Sequence, residues 1–149
     1  MKPMVRLYPR LRLHSALRGP RGITVEQAVE RATTEMNVWS DSAFDVIDAA
    51  IADIRTMCAA RGGVLEPAEV LEKAEAVVNL AGLFSPPLCR AAQSLCNLAK
   101  KSMDGAIFDR GAVTVHVESM VLLRALGSEE NATSTAILQG LHAVVAKAR

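Results

Sequence analysis

Two consecutive prolines, Pro86 and Pro87, interrupt the most apolar part of this 149-residue chain, "KAEAVVNLAGLFSPPLCRAAQSLCNLAKK". Proline has no amide hydrogen to donate, so a helix can begin with one but cannot run through two. The residue before a proline is also biased away from helical angles, which makes Ser85 a corner. On both sides of it apolar residues return every three or four positions. Before the corner they are Val70, Leu71, Ala74, Val77, Val78, Ala81 and Phe84; after it they are Leu88, Ala91, Ala92, Leu95 and Leu98. That spacing is one face of a helix, so the stretch reads as two amphipathic helices joined in a hairpin.

The same periodicity runs through the rest of the chain. Thr24 and Gln27 form a capping-box pair ahead of Val25, Val29, Ala32, Met36, Trp39, Ala43, Val46, Ala50, Ile54 and Met57. Unbroken, residues 25–60 would make a helix about 54 Å long; Ser40 and Asp41 offer a second cap, so a break near Trp39 is the alternative. Glycines 62 and 63 end it, and Pro67 opens the next helix. After Asp109 comes a segment with Val113, Val117, Met120 and Leu123 inward, ending at Gly127. Its β-branched start would tolerate a strand, but no partner strand is evident. A last helix after "SEEN" turns Ile137, Leu138, Leu141, Val144 and Val145 inward, with Lys147 and Arg149 at its C-terminal end. The expectation is an all-α, four- or five-helix up-down bundle with a long first helix. An aromatic content of 3% within 50% hydrophobic residues suits close helix packing.

Charge is unevenly placed. Of 17 basic residues, six fall in residues 1–22, where there is no acid; the other 11 face 16 acidic residues. Residues 1–22 thus read as a basic N-terminal arm and residues 23–149 as the bundle domain. Such an arm attracts phosphates or anionic headgroups, yet without base-reading or stacking residues its pull on nucleic acid would be salt-sensitive and unspecific. No apolar run reaches the roughly 18–20 residues that span a bilayer, and the start has no uninterrupted apolar stretch of a secretory leader. Cys58, Cys89 and Cys96 lack metal-type spacing and read as small core thiols in a reducing, cytoplasmic setting.

Residues able to do chemistry are few. His14 lies in the arm as "HSALRG". His116 sits at the edge of an apolar stripe, where a half-exposed imidazole could accept a phosphoryl group or serve as a structural flank. His142 stands beside Leu141. There is no HExxH, GxSxG, P-loop or clustered Cys/His set, so neither a metal nor a cofactor is expected and enzymatic turnover is the weaker reading. Asp45, Asp48 and Asp53 fall between apolar positions on a solvent side.

The hairpin resembles the centre of histidine phosphotransfer (Hpt) domains, which carry H-x-x-K-G on one helix, a corner, and a helix with leucines seven apart followed by an acid. Aligned on Ser85, Leu88 and Leu95 take the leucine positions and Cys96 the acid. The phosphoacceptor histidine falls on Glu75, the lysine on Val78 and the glycine on Asn79, so every chemical position is changed. A longer resemblance, carried by "GITVEQAVERA", "LAGLFSPPLCRAAQSLCNLAK", "VTVHVESMVLLRAL" and "LQGLHAVV", is to alphaproteobacterial chemotaxis accessory proteins of the CheE type. These resemblances imply a cytoplasmic signalling module that binds a receiver domain or a histidine kinase through Glu75, Val78 and Asn79. The alternatives are an active phosphotransfer protein using His116, and a structural or DNA-associated protein working through the arm. An exposed stripe on a long first helix would also allow a homo-oligomer.

Overall fold

A computed structural model describes residues 24–60 and 64–147; the basic arm, His14, the glycines at 62 and 63, and Arg149 lie outside the described residues. The described residues form five helices: α1 (Val25–Ala59), α2 (Pro67–Phe84), α3 (Pro86–Met103), α4 (Arg110–Leu126) and α5 (Ala132–Lys147). There is no strand among the described residues, so the β-branched start of α4 is helical. The chain divides into two compact units, residues 1–38 and 39–149. In the first, the described residues are the N-terminal turns of α1, and all of them are exposed. Val25, Val29, Ala32 and Met36 of the apolar stripe are therefore not core residues of the monomer.

The helix ends are set by local chemistry. Thr24 and Gln27 close a reciprocal capping box, each side chain accepting from the other's backbone N–H at 3.2 Å. Asp109 caps α4 by accepting from the amides of Gly111 and Ala112 at 3.0 and 3.2 Å. Asn131 and Ser134 cap α5 in the same reciprocal way. Gly127 ends α4 at φ 91°, a left-handed angle that side chains with a Cβ disfavour.

Ser85 is at once the residue after α2 and the residue before α3. Its φ of −149° and ψ of 88° lie outside the helical region, which a residue before proline avoids. A connection that short leaves two helices side by side and antiparallel. The pairs across them run in that order, with Cys89 beside Gly82 and Lys100 beside Glu75. From the hairpin, α3 also packs against α4 and α5. Half of its 18 residues are buried. Its small side chains at Ala91, Ala92, Ser94 and Ala99 let the neighbouring helices approach on several sides at once.

In the second unit the buried positions of α1 are Ala43, Ile47, Ala50, Ile51 and Ile54. They join Val70, Val77, Leu88, Leu95, Val113, Met120 and Leu141 in one core. Around the rim, Asp53 pairs with Lys73 at 2.9 Å, Arg55 with Glu118 at 3.0 Å, and Asp48 with Arg124 at 3.1 Å. Arg124 also lies 3.9 Å over the Phe44 ring. Exposed pairs of this kind contribute about 0–1 kcal/mol each, so the apolar core carries the fold. Leu95→Ala should lower the unfolding free energy by about 2–5 kcal/mol, whereas Val29→Ala should change it by less than about 0.5 kcal/mol. Urea unfolding followed by circular dichroism measures both.

Candidate functional site

The α2–α3 hairpin brings Glu75, Val78 and Asn79 to one depression of about 180 Å³, closed on its far side by Gln93, Cys96 and Lys100. The helical repeat explains the first three: positions 75, 78 and 79 lie within one turn and face the same way. The antiparallel return explains the others, because α3 runs back alongside α2 after Ser85 and brings them next to it. Glu75 Oε1 holds Lys100 Nζ at 3.2 Å, with both side chains about half exposed. Asn79 is exposed and Val78 half-buried. One turn beyond Asn79 on the same face of α2, Leu83 is 79% exposed. An apolar side chain thus stands beside a polar rim of Glu75, Asn79, Gln93 and Lys100.

Cys96 forms the floor of this depression. Burial, with the Glu75 carboxylate adding to it, pushes its thiol up to about 11, so at neutral pH it is protonated and a poor nucleophile. Cys89, two turns nearer the corner, donates its thiol hydrogen to the carbonyl of Val78 at 3.7 Å. All three cysteines are free. A carboxylate in an ion pair, two amides and a protonated thiol can bind a partner by hydrogen bonds, but they hold no activated nucleophile.

His116 differs from the sequence expectation. The sequence puts it at the edge of the stripe and half exposed, whereas in the structure it is fully buried. Its Nδ1 lies 2.8 Å from the carbonyl of Ala112 and its Nε2 lies 3.0 Å from Ser94 Oγ. A carbonyl only accepts, so Nδ1 carries the proton, Nε2 accepts, and the Ser94 hydroxyl donates. A hydroxyl donating to an imidazole is also how a nucleophilic pair begins. Here neither group reaches solvent, and the pair ties α3 to α4 inside the core. His142, by contrast, is exposed on α5.

Another depression, of about 470 Å³, lies where the start of α4 meets the end of α5. It is walled by Ile107, Ala112, Val115 and Val144, and its carboxylate, Asp109, is already used as a helix cap. Among the described residues no group of three His, Cys, Asp or Glu side chains could hold a metal ion. No described helix is long and apolar enough to cross a membrane. Asp45, Asp48 and Asp53 are exposed, and the latter two form ion pairs with neighbouring helices. No family model, curated protein or solved structure matches the chain.

Sequence reasoning named half of this depression. Gln93, Cys96 and Lys100 come from the helix that returns along α2 after Ser85, and Leu83 from adding four to Asn79. The buried imidazole gives a pH dependence. Desolvation holds the His116 pKa below its ordinary 6.5, outweighing the Ala112 hydrogen bond. The unfolded chain therefore takes up this proton first. The stabilisation from neutral His116 is complete above about pH 6.5 and is lost as pH falls toward the lower folded-state value. Urea midpoints should drop between about pH 7.5 and 5.5, and His116→Gln should flatten that slope while lowering stability throughout.

Proposed function

We propose that this chain is a cytoplasmic, non-catalytic signalling adaptor with an Hpt-like bundle, binding a receiver domain or histidine kinase of a two-component or chemotaxis pathway. The observation that carries this reading is the α2–α3 depression. Glu75, Val78 and Asn79, the positions where the resemblance would put phosphotransfer chemistry, share one surface hollow. In place of a phosphoacceptor it offers a carboxylate fixed by Lys100. Leu83 supplies an exposed apolar anchor beside a polar rim, the anatomy of a protein-binding patch. The up-down arrangement and kinship with chemotaxis accessory proteins belong to the same proposal and rest on the sequence words quoted above.

Binding without transfer follows from the side chains present. A carboxylate engaged by an ammonium group can position a partner's donors. Holding phosphate as a relay needs an accessible imidazole, and the burial of His116 speaks against its use for that purpose. The basic arm remains an accessory that could add unspecific electrostatic attraction.

The test incubates the full chain with phosphorylated receivers and an autophosphorylating kinase, following both binding and label. Receiver binding without label is expected, weakened at least about tenfold by Leu83→Glu and by Glu75→Ala, as loss of an interface anchor does. Acid-labile label that disappears in His116→Gln would make the chain an active phosphotransfer protein instead. Neither label nor binding would remove the signalling reading and leave a helical bundle.

A further inference from the structure

We propose that the outer face of α4 and α5 is a homodimer interface, covered by the same face of a second copy of this chain about a twofold axis. The face lies wholly within residues 39–149. It is separate from the α2–α3 hollow and does not rest on the receiver reading.

The face is solvent-exposed and carries almost no charge. Every exposed residue of α4, namely Gly111, Thr114, Val115, Leu122, Ala125 and Leu126, is uncharged. The charged residues of α4 are turned toward α1. Glu118 pairs there with Arg55 and Arg124 with Asp48, while Arg110 donates to the carbonyls of Cys58 and Ala60. Most of α5 is exposed, yet it has no Asp, Glu, Lys or Arg before Lys147, its last residue. A helix side that faces water normally carries its charges there.

That deficit favours a like partner. In a twofold pairing each residue near the axis meets its own copy, so a charge at the centre would meet a like charge. A partner of different sequence gains from charges of opposite sign, and the centre of this face offers none. Gly140, midway along α5, adds a reason for close approach. Glycine weakens a helix interior relative to alanine. No described atom lies within 4 Å of where its Cβ would stand, so packing in the monomer does not require it. A second helix crossing at Gly140 uses that space.

The shape is self-complementary as well. At one end of the face is the hollow of about 470 Å³ walled by Ile107, Ala112, Val115 and Val144. At the other end of α4 stand Leu122 and Leu126, 56% and 44% exposed. Ala112 and Leu126 are about 21 Å apart along the helix. A twofold axis between them, near Ser119 and Gly140, sets the leucines of each copy in the hollow of the other. The rim follows the same axis: Lys147 borders the hollow, and the exposed Glu129 follows the leucines at the far end. Asp109, the acid at the hollow, is turned to the amides of Gly111 and Ala112. Ile107 is 79% exposed and Val115 47%. With the two leucines and the small residues between, they present on the order of 500 Å² per chain, so a pair removes roughly 1,000 Å² in total, the size at which specific interfaces begin.

Sedimentation of the full chain over a concentration series tests this, beside urea unfolding of each protein at monomeric dilution. A concentration-dependent dimer is expected. Leu122→Glu and Gly140→Leu should each raise its dissociation constant at least about tenfold. In the monomer Gly140→Leu has room and improves helix propensity, so its urea midpoint should be equal or higher while the dimer is lost. A monomer at every soluble concentration overturns the proposal, and so does a dimer indifferent to either substitution. A monomer that sediments with phosphatidylglycerol vesicles, and no longer does so as Leu122→Glu, would assign the face to a lipid surface and equally overturn it.

Discussion

The fold depends on the one-residue corner at Ser85. Because α2 ends and α3 begins on the same residue, the two helices have little freedom to separate, and the buried face of one packs along the other. That pairing buries one side of α3. The remaining sides are closed by α4 and α5, and only a helix rich in alanine and serine can be approached so closely from several directions. Ser94 uses this position to donate its hydroxyl to His116, so the one buried imidazole is fixed by the most central helix. The core is apolar with a polar tie between Ser94 and His116, and the ion pairs sit around its rim.

Much of this could be read from residue spacing. The prolines, the capping pairs at Thr24–Gln27 and Asp109, and the inward positions Leu88, Leu95, Val113, Val117, Met120 and Leu123 all lie where periodicity puts them. Periodicity reports that a face is apolar and not what covers it. The stripe from Val25 to Met36 therefore looks no different in sequence from the stripe of a core helix, although it is exposed. His116 was harder for a related reason. Position 116 lies between Val113 and Val117 on the buried face, but a histidine is stable there only with a partner. That partner, Ser94, is 22 residues away on another helix.

The candidate site shows a similar division. Positions 75, 78 and 79 follow from a resemblance, and the hollow they line is completed by residues that come back along α3. The hairpin makes the site: without the corner, Glu75 would have no Lys100 to hold its carboxylate and Cys96 would not form a floor. The polar groups gathered there suit holding a partner, while the Cys96 thiol in its floor is protonated and the His116 imidazole is enclosed in the core. On the proposed reading, the chain keeps the surface of a relay module and has lost its reactive atom.

The central claim is that this hollow is the place where a receiver binds. Amide exchange of the full chain, measured with and without a receiver domain from the same cell, tests it most directly. The account predicts slowed exchange concentrated in the outer turns of α2 and α3 around Asn79, Leu83 and Gln93, with α5 unchanged. Protection confined to α4 and α5, or none at receiver concentrations that saturate other phosphotransfer partners, would contradict it.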